Sequence, residues 1–257
     1  MKLSIITVNL NNAIGLKRTI ESVISQTFTD YEYIIIDGGS TDGSVDIIKQ
    51  NTDKIAYWVS EPDKGIYNAM NKGILKAQGE YLIFMNSGDC FVFDVLMQIQ
   101  EQLTADIVCG NVEKKRIIGS KKLKSVSEDE LSMMSFYKTT PFPHQACFLR
   151  KILFKDDLYN EENRIFSDWE FAVKKTIFQN CSYKKLNAKI ADMEPYGISD
   201  NMSSKDEEER SELLERIFSQ RILKDYEFYS YRIVRTTMRM LRRIIRVVKL
   251  FSNRYKN

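Results

Sequence analysis

The chain has 257 residues, 43% hydrophobic and 28% charged, with 11 Gly and 4 Pro; that length supports one sizeable core and that balance excludes collagen-like and wholly disordered chains. Its four cysteines, Cys90, Cys109, Cys147 and Cys181, are widely spaced and form no CxxC pair, which excludes a small disulfide scaffold and reads as four reduced thiols in a cytosol. The net charge of +3 hides an asymmetry, because Arg221 to Asn257 hold eleven Lys/Arg against two acids, a net of +9 that leaves −6 on the other 220 residues.

In chain order, the segment MKLSIITVNLNN has one Lys and then an apolar run that polar residues stop after Val8. A strand over Leu3 to Asn9 is expected there, and neither a signal peptide nor a transmembrane helix, since no apolar run approaches ~18 residues. Ala13, Leu16, Ile20, Val23 and Ile24 recur at helical spacing behind the N-cap candidates Asn11 and Asn12. The cycle repeats with strands over Tyr33 to Asp37 and Ile55 to Ser60, a short helix over Ser44 to Asn51, an amphipathic helix from Ile66 to Ala77 and a strand over Tyr81 to Asn86. A fifth strand is expected around Asp106 to Val112, a helix opened by Ile165-Phe166-Ser167-Asp168-Trp169-Glu170-Phe171 and running through Phe178, and helix again from about Asp206. Strands alternating with crossover helices predict an α/β fold, a single mostly parallel sheet with helices on both faces.

Ligands of such sheets bind beyond the carboxyl ends of the strands. Here those ends are polar: Thr7-Val8-Asn9, Asp37-Gly38-Gly39-Ser40, Glu61-Pro62-Asp63-Lys64-Gly65 and Asn86-Ser87-Gly88-Asp89. Each alone reads as a turn, but four convergent ends rich in carboxylates and amides point to a site. The single histidine, His144, excludes HExxH zinc helices and His-rich metal cages, so catalysis has to lean on carboxylates. No GxGxxG follows the first strand and no GxxxxGK[ST] occurs, which leaves a nicotinamide cofactor and a P-loop unsupported.

Four segments, SIITVNLN, IIIDGGSTDGS, SEPDKGIYNAMNKGI with AQGEYLIFMNSGD, and FSDWEF, resemble the family 2 glycosyltransferases of the A-type nucleotide-sugar fold, especially bacterial O-antigen and capsule enzymes. The resemblance covers about residues 1 to 200. It implies that Thr7 and Asn9 belong to the nucleotide pocket and that Asp37 accepts from the pyrimidine ring, a buried N–H that wants a strong acceptor. Asp63 is then a second nucleotide contact, unless it caps the helix starting at Gly65. Asn86 stands at the first acidic position of the DxD-type motif and is expected on ribose or phosphate, while Asp89 is expected to hold Mg2+ or Mn2+ on the diphosphate. Asn68 is a further departure, from a position where related sequences often carry Asp. Asp168 matches the base that takes the acceptor proton in an inverting displacement, with N-capping of its helix as the alternative. Glu170 is a lesser candidate for that role or an acceptor contact. His144 is an acceptor or phosphate contact or an ordinary loop residue, and Tyr196-Gly197-Ile198-Ser199 is either a flap over the donor or a turn.

From Arg232 to Lys249 a basic stripe lies opposite an apolar one on the helical wheel. That pattern suits a helix lying in an anionic membrane surface or one packed on the acidic body, and nucleic acid is the poorer fit because the basic face lacks interleaved aromatics. The expectation is a glycosyltransferase domain over 1–220, with a nucleotide-sugar half at 1–115 and an acceptor half at 116–220, and a basic helical tail over 221–257. Its reaction is transfer from a nucleoside-diphosphate donor, a UDP-sugar by preference, to a lipid-linked bacterial glycan at the inner face of the cell membrane. The rivals are an idle scaffold of the same fold and a sugar-phosphate nucleotidyltransferase, for which Asn9-Leu10-Asn11-Asn12 lacks the basic glycine-rich loop.

Overall fold

Runs of Ile, Val and Tyr fit the pleated, buried surface of a sheet, and LSIITVN and YEYIIID become β1 (Leu3–Asn9) and, after helix α1 (Ala13–Ile24), β2 (Tyr31–Asp37) in the computed structural model. It describes residues 1–114, 123–125, 127–138, 140–194, 203–230 and 236–245. Helix α2 (Ser44–Gln50), β3 (Tyr57–Ser60), α3 (Ile66–Lys76) and β4 (Tyr81–Phe84) follow. These four strands are all parallel, with Asn9, Asp37 and Ser60 in one row at their carboxyl ends.

The two faces of the sheet are covered as the alternation of its side chains requires. Leu3, Ile5, Tyr33, Ile35, Tyr81 and Ile83 share a buried core with Leu16, Ile20 and Val23 of α1. On the other face α3 lies so close that a Cβ at Gly73 would stand 2.5 Å from Ile6 Cγ2. Glycine there permits the approach.

Beyond β4 the pattern changes. The elements are β5 (Cys90–Phe91), α4 (Val95–Ile99), β6 (Ile107–Lys114), β7 (Leu123–Ser125), α5 (Met133–Lys138), β8 (Cys147–Arg150), α6 (Ser167–Val173), extended by a π turn to Phe178, and β9 (Tyr183–Met193). The strand order is β3-β2-β1-β4-β8-β6-β9-β5, with β7 on β6. β8 runs antiparallel to β4 and β6, as do β7 to β6 and β5 to β9, and only β6 and β9 pair in parallel in this half. The expected mostly parallel sheet is therefore corrected to a mixed one. Parallel neighbours need a long crossover, usually a helix, and the regular strand-helix alternation stops at β4.

The reading of four reduced thiols is corrected as well. Cys109 and Cys147 face each other across β6 and β8, with Cα atoms 4.2 Å apart, and form a disulfide. They are 38 residues apart in the chain, and only the antiparallel register makes them neighbours. Cys90 and Cys181 are free.

Contacts divide the chain into two compact units, Met1–Glu209 and Arg210–Asn257. Helix α7 (Ser204–Ile217) runs across that division, and α8 (Gln220–Ser230) lies in the second unit, where Phe218 and Tyr226 meet edge to face. Within the expected amphipathic segment 232–249, residues 236–245 are helical, and its remainder lies outside the described residues, as does the expected flap at Tyr196 to Ser199. Among the described residues no helix is long and apolar enough to cross a membrane.

Candidate active site

The row at the carboxyl ends of β1, β2 and β3 is knit by one carboxylate. Asp37 Oδ1 accepts from Asn9 Nδ2 at 2.7 Å and Ser40 Oγ at 2.6 Å, and Oδ2 from the Ser40 N–H at 2.9 Å and Ser60 Oγ at 2.6 Å. Burial pushes the Asp37 carboxyl up, but these donors outweigh it and hold it below its ordinary value. Asn9 is also buried, and its Oδ1 has no partner. Asp63 comes to the same edge, with Oδ2 3.0 Å from where a Cβ on Gly38 would be, and Oδ1 takes the Lys72 ammonium at 2.6 Å. The capping alternative falls away, because α3 has no side-chain cap.

Thr7 does not join this edge. It is wholly buried, and its hydroxyl is spent on Met85 O at 2.7 Å and Tyr33 Oη at 3.0 Å. The expected nucleotide contact of its side chain is corrected to a clamp between β1, β2 and the residue after β4, because the hydroxyl points into the core and both of its partners are there.

After β4 the chain turns at Asn86 to Asp89, the Asp89 N–H returning to Asn86 O at 3.0 Å. Asp89 is nearly sealed, accepts from the Glu194 N–H at 2.9 Å and from Gln145, and faces the Glu194 carboxylate. Burial dominates and pushes Asp89 up to about 7. Asn86 Oδ1 is a buried oxygen with no partner. Among the described residues no three His, Cys, Asp or Glu side chains gather as a metal cage.

Asp168 opens α6 and does not cap it. Its Oδ1 accepts from the Tyr67 hydroxyl of α3 at 2.8 Å. Burial first, and then the Asp168 charge, raise the Tyr67 phenol well above its ordinary value, so it stays a donor. Asn71, also on α3, clamps the chain at Tyr159 and Glu161: its Nδ2 donates to Tyr159 O at 2.8 Å and Glu161 Oε1 at 3.0 Å, and its Oδ1 accepts from the Tyr159 N–H at 3.0 Å. Asn68 Nδ2 donates to Glu161 Oε2 at 2.8 Å, so Asn suits a position where Asp would repel Glu161. Glu170 points elsewhere and accepts from Asn163 at 2.6 Å. His144 stacks on Phe84 with its Nε2 2.9 Å from the Tyr159 hydroxyl, and burial lowers its pKa against the pull of Asp168. Stacked on Phe84 and bonded to Tyr159, His144 sits in an aromatic cluster. A cavity of about 360 Å3 opens beside Lys64, Tyr67, Glu161 and Arg164.

Sequence reading missed Ser40, Ser60, Tyr67, Asn71, Glu161 and Glu194. The first four sat inside or beside the quoted motifs, and Tyr67 and Asn71 follow Gly65 at positions where the helical wheel reads as ordinary core. Nothing local marks Glu161 or Glu194, whose partners are about 90 and 105 or more residues away.

The family model "Glycosyl transferase family 2" matches residues 4–157. An "Uncharacterized glycosyltransferase" of Mycobacterium tuberculosis is 32% identical over 204 residues, 76% of each chain. A "PGL/p-HBAD biosynthesis glycosyltransferase" of Mycobacterium bovis is 32% identical over 180 residues, 66% of this chain and 68% of its own. The fold is shared with S. aureus TarS 1-349 in complex with UDP-GlcNAc, at a TM-score of 0.66 and 19% identity over 85% of this chain and 67% of that one. It is shared too with the mannosyltransferase PcManGT from Pyrobaculum calidifontis in complex with GDP-Man and Mn2+, at 0.57 and 12% over 93% and 83%. In the UDP complex of TarS the match spans 64% of that chain, less than two thirds of its length.

Proposed function

Since the chain belongs to glycosyl transferase family 2, we propose that it transfers a sugar from a UDP-sugar to a lipid-linked bacterial glycan of the O-antigen or capsule kind, with inversion at the anomeric carbon. One observation carries the reading. Asp168 is tied through the Tyr67 hydroxyl to the helix that rises directly from the polar strand ends, so a base and a donor edge share one scaffold.

In this reading the nucleotide lies along Asn9, Asp37 and Asp63. Asp37 already has four donors, so a pyrimidine N–H reaches it only in exchange for a Ser40 or Ser60 hydroxyl, both of which can rotate. Asp168 takes the proton of the acceptor hydroxyl as that oxygen attacks, and the nucleoside diphosphate leaves from the opposite face. One carboxylate suffices because the nucleoside diphosphate leaves as a stable anion and needs no general acid, whereas a glycosidase must also protonate its leaving oxygen. Tyr67 holds that carboxylate in one orientation, and the cavity beside it gives the acceptor sugar room.

The turn after β4 fits a hard divalent cation. Asp89 is a buried carboxylate with few donors, and Asn86 adds an unpaired neutral oxygen. Asp89 and Asn86 would hold Mg2+ or Mn2+, which supplies countercharge for the leaving diphosphate. With only these two, its affinity rests on the nucleotide being present.

The tail adds a membrane contact. Met238, Leu241, Ile244 and Ile245 are exposed on one face of the 236–245 helix, while Arg239, Arg242 and Arg243 occupy the other. Apolar and basic faces of this kind seat a helix in an anionic surface. The protein then works at the inner face of the cell membrane, on a lipid-carried acceptor.

The test is Asp168→Asn assayed for sugar transfer with Mn2+ and a panel of nucleotide-sugars. The rate should fall by ~10²–10⁴ with donor affinity nearly unchanged, because the amide keeps the Tyr67 contact but accepts no proton. Equal rates would remove Asp168 as base. An inactive wild type that still binds donor would favour the scaffold.

A further inference from the structure

We infer that Glu209, on α7, is a positioning residue for Asp168, so that the acidic first turns of α7 hold the base in place. This rests on the role proposed for Asp168. Asp168 is the second residue of α6, and the stretch that leads into it, Arg164 to Phe166, belongs to no regular element. The three main-chain N–H groups of that stretch converge on one carboxylate. Glu209 Oε2 accepts from the Arg164 N–H at 2.8 Å, and Oε1 from the Ile165 and Phe166 N–H groups at 3.2 Å each. Phe166, at the N-cap position of α6, offers no side-chain cap. A carboxylate 43 residues further along the chain closes that helix end instead.

A second contact from α7 strengthens the grip. Asp206, three residues before Glu209 and so its neighbour on the helix surface, is buried and pairs with the Arg164 guanidinium. Its Oδ2 also takes the Ser203 N–H and hydroxyl, both at 2.7 Å, which fixes the start of α7. Hydrogen bonds from N–H groups to a carboxylate are roughly twice as strong as neutral ones, and three of them on one carboxylate leave the backbone before Asp168 little freedom. Tyr67 fixes one oxygen of the Asp168 side chain, and α7 fixes the backbone that carries it. A base displaced by about 1 Å loses on the order of 10²-fold in rate, whereas the nucleotide edge at Asn9, Asp37 and Asp63 is built on other elements.

The experiment uses the full chain with Mn2+, the nucleotide-sugar that the wild type turns over fastest, and UDP for binding. The variants are Glu209→Ala, Glu209→Gln and, as an exposed control on the same helix, Glu208→Ala. Glu209→Ala should lower kcat at least tenfold and leave the UDP dissociation constant within twofold. Glu209→Gln keeps a carbonyl oxygen for the Ile165 and Phe166 N–H groups and should recover most of the rate, and Glu208→Ala should match wild type. Melting temperatures show whether each variant is folded. If Glu209→Ala is not, Glu209→Asp, whose carboxylate is one methylene short of the N–H groups, carries the same test. The decisive measurement is the double variant: added to Asp168→Asn, Glu209→Ala should change the residual rate less than twofold, because no base remains to be positioned. A merely structural role would lower both rates alike and weaken UDP binding. A Glu209→Ala enzyme within twofold of wild type, or an equal loss in the Asp168→Asn background, overturns the inference and leaves Asp168 standing as base. Asp168→Asn at the wild-type rate, or a wild type that transfers no sugar, overturns the base reading and the inference with it.

Discussion

Asp37 at the end of β2 and Asp89 in the turn after β4 are both nearly sealed from solvent, yet one is held below its ordinary pKa and the other pushed up to about 7. Burial opposes the charge in both. Burial weighs more heavily on Asp89, and the donors differ as well: Asp37 collects four hydrogen bonds, whereas Asp89 has the Glu194 N–H and Gln145 and faces the Glu194 charge. A buried carboxylate with a full set of donors is an anchor, and one with too few is poised for a proton or a cation.

The sharpest way to break this comparison is to delete the anchor. Asp37→Ala leaves the Asn9 amide and the Ser40 and Ser60 hydroxyls without their acceptor, and should cost about 3 kcal/mol in urea unfolding and abolish stabilisation by UDP. A variant as stable as wild type would show that the four bonds contribute little. Asp89→Asn should do the reverse in the metal-free protein. Because the folded-state pKa of Asp89 lies above that of the unfolded chain, its ionisation weakens the fold as pH rises from about 4 to about 7. The amide avoids that loss, so Asp89→Asn should melt higher than wild type at pH 8 and no higher at pH 5. Asp37 has the opposite sign. Its lowered pKa contributes stability at neutral pH that is lost as pH falls below the ordinary carboxylate range, and Asp37→Asn should flatten the acid limb of a melting-temperature profile. Parallel profiles for wild type and both variants would remove the contrast. The smallest effect is expected of Ser60→Ala, which takes one of four donors and should cost about 1 kcal/mol by the same unfolding measurement.

The polar edge at the carboxyl ends of β1 to β3 was legible because its parts are local. In a parallel sheet every strand delivers its last residues to the same side, so Asn9, Asp37 and Asp63 could be placed together from β1 to β3 and the motifs that end them. Thr7 misled for the same reason: a residue in the right motif was read as facing the site, and its burial against Tyr33 and Met85 depends on packing that the motif does not state. Asp168 was legible as a residue and not as a site, since its partner Tyr67 is 101 residues away and its hydroxyl sits on a helix face that otherwise reads as core.

The amino-acid sequence by itself determined the parallel half of the sheet, the polar strand ends and the carboxylates available for chemistry, because strand and helix periods and turn residues act over a few neighbours. Tertiary structure alone decided the antiparallel half, the pairing of Cys109 with Cys147, the clamp of Asn71 on the Tyr159 backbone and the meeting of Asp89 with Glu194. Those depend on the register of strands far apart in the chain, and so do the electrostatics: Asp37 and Asp89 are the same residue type, and the burial and the donors that folding brings to each set their carboxyls apart.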